Sequence, residues 1–395
     1  MIIACQKGNI EIVKLLLNDE RIETNNKDEF GQTPFLISCK KGSIEIVELL
    51  LNDERVDINQ AMDTGASPFW ISCQSGNLDI VKLLLNDERT DINKSESCIG
   101  ATPFYIACYN GHIEVTKLLL SDSRVDTKVI NQPNYGEATP FFVACKNENL
   151  EILKLLLNDE RVDVNKTYEG DSTPFCIACS KGHIEIVKIL LSDERVDINK
   201  ASKYHETPFC IACEKGHIDI VKLLLNDKRI DINKANDDGE TPLYKACENG
   251  HTEIMKLLLN DERVDINKAN DDHQTPFYIA CFKGHLEVVK ILLNDERVEI
   301  NKTRNDGWTP FFITCYFGYI EIVKLLLNDK RIDINKPDNN GMTPLYQAYK
   351  KERIEAIEVI LASGREVNFH GQNQNEKAKT KKGEEGISKK KKEIN

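Results

Sequence analysis

The dipeptide Thr-Pro, once Ser-Pro, begins at Thr33, Ser67, Thr102, Thr139, Thr173, Thr207, Thr241, Thr275, Thr309 and Thr343. The intervals are 34, 35 and 37 residues, then 34 six times. A module of that size cannot bury its own apolar face; it becomes stable only when neighbours stack on it, so the period predicts a solenoid. Residues 207–240, "TPFCIACEKGHIDIVKLLLNDKRIDINKANDDGE", represent the unit. Thr207 is placed to cap a helix and Pro208 suits its first position, where no N–H is needed. Phe209, Ala212 and Cys213 share one helical face, and Gly216-His217 breaks the helix. Ile218, Val221, Leu224 and Leu225 form the apolar stripe of a second helix, which fades at Asn226-Asp227. "DIN" at 231–233 reads as short and extended, and "ANDDGE" as a turn cluster ending in Gly239.

Two families share a period near this length, and the motif separates them. "TPLYKAC" at 241–247 and "GHIEIVKILL" at 182–191 resemble the ankyrin pattern of Thr-Pro-Leu-His-x-Ala followed by Gly-His and an aliphatic helix. The resemblance covers about residues 1–369. It implies an all-α ankyrin-repeat solenoid of helix–turn–helix units with short β-hairpin-like fingers, about eleven units in all. Residues 370–395 form a separate Lys-rich tail, predicted to be disordered. This chain is one residue longer per unit than the common ankyrin form, with "NDERVDIN" (52–59) in place of a Gly-containing end. Asn or Ser after the Leu run is expected to supply the left-handed cap. The His of Thr-Pro-Leu-His is replaced throughout, by Tyr105, Phe142, Cys176, Cys210, Tyr244, Tyr278, Phe312 and Tyr346. The first unit begins inside its first helix, at "MIIAC". Two readings stay open there: an exposed first stack, or a piece of a longer protein. "YKKERIEAIEVI" (349–360) is more charged, as an end cap would be.

Composition bounds the function. A formal charge of −12 argues against nucleic acid as the main ligand. No run approaches the roughly 18 apolar residues of a membrane span, and the N-terminal sequence lacks a secretory pattern. Thirteen cysteines without an export signal point to reduced thiols and a cytoplasmic setting. "CIAC" occurs at 176–179 and at 210–213, which raises zinc. Neighbouring helices in such a stack lie about 8–10 Å apart, too far for four sulfurs about 2.3 Å from one ion. Ten cysteines recur once per unit and read as small buried apolar residues. Cys98 lies in a loop and is the thiol expected to react. His112, His183, His217, His251 and His285 recur after Gly and read as turn residues bonding backbone. Asn59, Asn93, Asn165, Asn199, Asn233, Asn267, Asn301 and Asn335 recur likewise and are expected to bond finger backbone. No catalytic residue, cofactor or metal site is predicted.

Recognition must then reside where units differ. In ankyrin repeats that surface is the concave side, made of finger tips and exposed positions of the first helix. Phe282, Trp308, Tyr316 and Phe317 map there, at positions that elsewhere hold Glu, Lys, Gln, Ser or Asn, and Tyr319 replaces the turn His. These rings read either as interaction anchors or as side chains packing on one another. The fingers at 95–101 and 128–138 are longer than the rest, so Ile99, Ile130 and Tyr135 are further candidates, with tolerated loop insertion as the plainer reading. "KAKTKK" and "KKKK" in the tail read as a nuclear signal or as solubilising charge. The predicted function is a non-enzymatic, monomeric protein–protein interaction scaffold or adaptor. The alternative is the targeting portion of a larger enzyme or channel.

Overall fold

The structure, a computed structural model, describes residues 1–168 and 172–369. The chain divides into two compact units, Met1–Lys203 and Tyr204–Asn395. The first holds six helix pairs, from Ile2–Lys7 with Ile10–Leu17 to Pro174–Lys181 with Ile184–Leu191, and a short extra helix, Thr127–Ile130. The second holds five pairs, from Pro208–Lys215 with Ile218–Leu225 to Pro344–Lys350 with Ile354–Ala362. Within each unit the first helix of a pair packs on the first helices of its neighbours.

Each first helix after the opening one starts as its residues dictate. The Thr (or Ser67) hydroxyl accepts from the backbone N–H three residues on, as Thr275 does from Tyr278 at 3.1 Å, and Pro occupies the first turn. The Phe or Leu after that Pro is buried, and the recurring cysteines are fully buried. Turn glycines adopt left-handed backbone and leave room for the next pair. At Gly250 (φ 72°) a Cβ would sit 2.9 Å from the His285 ring. His285 in turn bonds the Glu248 carbonyl of the preceding pair at 2.8 Å.

The second helix ends otherwise than its sequence suggests. Asn52, Asn86, Asn158, Ser192, Asn226, Asn260, Asn294 and Asn328 are right-handed, not left-handed. The local turn still takes the carbonyl next to last, as Asp53 N–H does Leu50, and the last helical carbonyl is met by the next pair. Arg89 donates to the Leu51 carbonyl at 2.9 Å, Arg124 to Leu85 at 2.7 Å and Arg297 to Leu259 at 2.8 Å. Each of these guanidiniums is held by the Asp two residues before it, as Arg89 is by Asp87 at 2.6 Å.

The recurring Asn closes a second clip on the following pair. Asn59 donates to the Arg89 carbonyl at 2.6 Å and accepts from Asp91 N–H at 2.8 Å; Asn267 does the same with Arg297 and Glu299. "DIN" is therefore a turn rather than an extended strand, because the Asp carboxylate takes the N–H of the Asn two residues on, as Asp57 does for Asn59 at 3.0 Å. The fingers close by turns of the kind Asn270 N–H to Gln274 carbonyl, 3.0 Å. Among the described residues the one β-bridge is Tyr168 with Ser172. Adjacent fingers are tied by single bonds such as Asp271 N–H to the Asp238 carbonyl, 3.0 Å. The opening pair leaves Ile3 and Leu15 exposed, and Phe369 lies against Tyr346 and Tyr349 at the last pair.

Two predictions follow from the clips. Asn59→Ala removes two bonds worth about 0.5–1.5 kcal/mol each and should lower stability to urea by roughly 1–3 kcal/mol. Asn93→Ala should cost less, because Asn93 keeps its bond to the Arg124 carbonyl but its Oδ1 has no partner. Asp53, Asp87, Asp122, Asp159, Asp227, Asp261, Asp295 and Asp329 are all held below the usual carboxylate range, chiefly by hydrogen bonds from their Arg partners. A depressed folded-state pKa gives stability that is present above the unfolded value, about 3.9, and lost as pH falls through the folded one. The urea midpoint should therefore be level at neutral pH and fall steadily below about pH 4.

Candidate functional site

The five aromatics singled out in the second unit come together. Phe282 and Phe317 meet edge to face with centroids 5.4 Å apart, Phe317 meets Tyr316 at 5.1 Å, and Tyr316 meets Trp308 at 5.0 Å. Trp308 also lies 4.6 Å from Phe312, and Phe317 stacks on Tyr319 at 5.4 Å. All five are half-buried. The rings pack on each other across two pairs, as the second of the two readings expected, and none of the five is fully exposed, although each keeps part of its surface in solvent. Cations border it, with Lys283 over Phe282, Arg304 over Trp308 and Lys351 over Tyr316 at 4.8–5.8 Å. Such contacts contribute on the order of 0.5–1 kcal/mol at exposed sites.

Trp308 stands where the preceding pair has Gln274. Gln274 accepts the Tyr244 hydroxyl at 2.8 Å, and Asn270 donates to the same hydroxyl at 3.3 Å. One repeat on, Trp308 and Arg304 occupy those two positions, and Arg304 is engaged by Asp306. The Tyr278 hydroxyl, on a fully buried side chain, is left with no hydrogen-bond partner among the described residues. An unmet buried group of this kind costs about 1–3 kcal/mol. Burial also pushes the Tyr278 phenol up from its ordinary pKa.

The long fingers of the first unit behave differently from one another. Tyr135 is 70% exposed and Ile99 44% exposed. They are joined through Tyr135 N–H to the Ile99 carbonyl at 2.7 Å. The Tyr135 ring lies over Gly100, whose missing Cβ makes the approach possible. Ile130 is only 2% exposed and is not a surface residue. The inserted residues form the helix Thr127–Ile130, capped by Asp126, which turns Ile130 inward. Asn131, which ends that helix, takes over the clip to the next pair, bonding the Arg161 carbonyl and Asp163 N–H at 2.7 Å each. Asn93 is the residue that loses: Asp126 caps the inserted helix, and the Asn93 Oδ1 stays unpartnered.

A charged group beside the aromatics was not foreseen. Lys245, its side chain 14% exposed, pairs with Glu240 at 2.5 Å and Glu248 at 3.4 Å, and Lys283 reaches Glu248 at 3.2 Å. Burial works against the Lys245 charge, but the two carboxylates outweigh it and its pKa is raised. Glu206 nearby is pushed up by burial and by Glu214. The signal was present in the sequence: Lys245 occupies a first-helix position that is Ile in eight other pairs, from Ile3 to Ile313.

The remaining candidates are structural. His112, His183, His251 and His285 bond carbonyls of the preceding pair at 2.8–3.2 Å. Cys176 and Cys210 are buried within their helices, and burial pushes the Cys39 and Cys108 thiols up to about 12. Among the described residues no group of three or more His, Cys, Asp or Glu is placed to hold a metal ion, and no helix is long and apolar enough to cross a membrane. The Lys-rich segment 370–395 lies outside the described residues.

Cys98 is the one exposed thiol. Its pKa is raised, first through its hydrogen bond to Glu96, so exposure and thiolate formation oppose each other. Under native conditions an alkylating reagent followed by mass spectrometry should label Cys98 alone of the thirteen cysteines, and slowly. Glu96→Gln should raise that rate severalfold.

The family model for ankyrin repeats, built on three copies, matches residues 1–96, 88–168, 141–236, 228–306 and 296–370. Among curated proteins none matches the chain. The stacked helix pairs, the Thr-Pro caps and the turn His bonds agree with that match over almost the whole length, and the chain belongs to the ankyrin-repeat family.

Proposed function

We propose that this protein is a non-enzymatic interaction scaffold or adaptor, and that its partner docks on the aromatic surface of the second unit. Residues 1–369 are the recognition array in this reading, acting as a monomer in the cytoplasm. The single observation that carries it is the placement of Trp308. Its position removes the acceptor that Gln274 provides one repeat earlier and leaves the Tyr278 hydroxyl unmet. A residue that costs the fold a satisfied group and holds a ring half in solvent is accounted for by what it contacts outside the chain. Aromatic residues at exposed positions are the commonest anchors of protein interfaces. The helices beneath hold Trp308, Tyr316 and Phe317 already ordered, so little side-chain entropy remains to be lost on binding. Ile99 and Tyr135 offer a smaller second surface in the first unit.

Trp308→Gln separates folding from recognition, since Gln restores the acceptor that Tyr244 has in Gln274. The variant should unfold close to the parent's midpoint. In quantitative lysate capture it should nevertheless lose at least about tenfold of the partner, a change of ~1.4 kcal/mol. Equal capture by parent and variant would remove the aromatic surface from the proposal.

A further inference from the structure

The chain has two tryptophans, and they are held differently. The Trp70 indole N–H donates to the Ala101 carbonyl at 2.9 Å. Among the described residues Trp308 makes hydrogen bonds through its backbone alone, with Asp306 and Arg304. Its indole N–H is a donor left over, on a ring half in solvent. The three cations that border the aromatic group differ as well. Lys283 is paired with Glu248 at 3.2 Å, and Arg304 with Asp306. Lys351, whose ammonium stands 4.8 Å from the centre of the Tyr316 ring, has no carboxylate partner among the described residues.

A second cation is held at the same place. Arg353 stands in the column where the turn His recurs. His251 and His285 use Nε2 to bond a carbonyl of the preceding pair. Arg353 makes the equivalent bond through Nε, to the Tyr316 carbonyl at 3.0 Å. Its two terminal guanidinium nitrogens are engaged by no described residue, and the side chain is exposed. Such a fork matches the two oxygens of a carboxylate. The Lys351 ring contact and the Arg353 bond thus tie both cations to one residue, Tyr316, whose ring lies 5.0 Å from Trp308. Glu352, between them in the chain, is exposed and pairs with neither.

We infer that the partner protein segment on this surface presents an Asp or Glu carboxylate to Lys351 and Arg353, with an apolar residue beside it against Trp308 and Tyr316. The inference rests on the scaffold reading above and adds to it the chemistry of the partner. A carboxylate supplies what these groups lack, acceptors for the Arg353 fork and a counter-charge for Lys351. A basic segment would meet two uncompensated cations. The net charge of −12 disfavours a carboxylate over the molecule as a whole, so the local pair fixes where the segment lies and in which orientation.

The test is selection of phage-displayed random dodecapeptides on the full chain, followed by fluorescence anisotropy of the enriched peptides. Selected peptides are expected to share one Asp or Glu beside an apolar residue. A chain with Lys351→Gln and Arg353→His should bind them at least about tenfold more weakly at ~50 mM salt, with the gap narrowing at ~300 mM. Histidine is the residue that recurs in this column, and at pH ~8 it is neutral. The variant should therefore keep the bond to the Tyr316 carbonyl and unfold in urea close to the parent's midpoint. Peptides with no shared acidic position, or acidic peptides that bind the variant as well as the parent, overturn the carboxylate and leave the aromatic surface standing. Peptides also indifferent to Trp308→Gln overturn that surface too, as does a library that yields no enrichment. Phosphoserine in place of the acidic residue, if it binds more than roughly tenfold tighter, gives the cations to phosphate. Binding that emerges only after Glu384→Gln and Glu385→Gln gives them to this chain's own tail, and a dimer lost on Lys351→Gln gives them to a second copy. In each of these cases the partner's carboxylate falls.

Discussion

Every pair of short helices ends with backbone groups it cannot satisfy by itself, and the rest of the structure depends on how the next pair meets them. Arg89 reaches back to the Leu51 carbonyl, and Asn59 reaches forward to Arg89 and Asp91. The two clips are supplied by one short sequence, "NDERVDIN", whose Asp residues orient the Arg and turn the Asn. That arrangement explains the extra residue in the 34-residue period. The chain continues right-handed past the second helix, its own N–H groups take the inner carbonyls, and the last one is left to the neighbour's Arg. To the local turn is added a bond between pairs, and coupling of that kind is what holds a linear repeat protein together.

Much of this was legible in the sequence because it recurs. Thr, Pro, Phe and Cys repeat in register, and their roles as cap, first-turn residue and core follow from their chemistry. The right-handed ends of the second helices were not legible, since Asn is compatible with either hand and the deciding partner lies 36 to 39 residues away. Ile130 failed for another reason: an insertion was read as a longer loop, but Asp126 is a good cap and the added residues closed a helical turn. Lys245 departs from an Ile column, but the column does not show that Glu240 and Glu248 meet it there. The aromatic group was found, since substitution at otherwise polar positions is visible without coordinates. Sequence alone left packing and exposure as alternatives for these rings, because it gives no distance between residues a repeat apart.

Repetition also sharpens the functional argument. Ten nearly equivalent helix starts act as internal controls for one another, so a departure can be weighed against its own neighbours. Tyr244 with Gln274 and Tyr278 with Trp308 form such a comparison, with the backbone held constant and one hydroxyl losing its partner. Such a frame lets surface residues vary with small effect on the core, because cap, clip and core residues occupy separate columns of the repeat.

The unpartnered Asn93 has a consequence of a mechanical kind. Pulled end to end, the first unit resembles a chain of links joined by paired fasteners, and the link between its third and fourth helix pairs carries one fastener fewer. Arg124 still holds Leu85 there, and the Asn93 amide still holds the Arg124 carbonyl. Under load the seam that accommodates the inserted helix therefore yields before its neighbours, and it divides the unit into segments that can each stay folded while the joint between them opens.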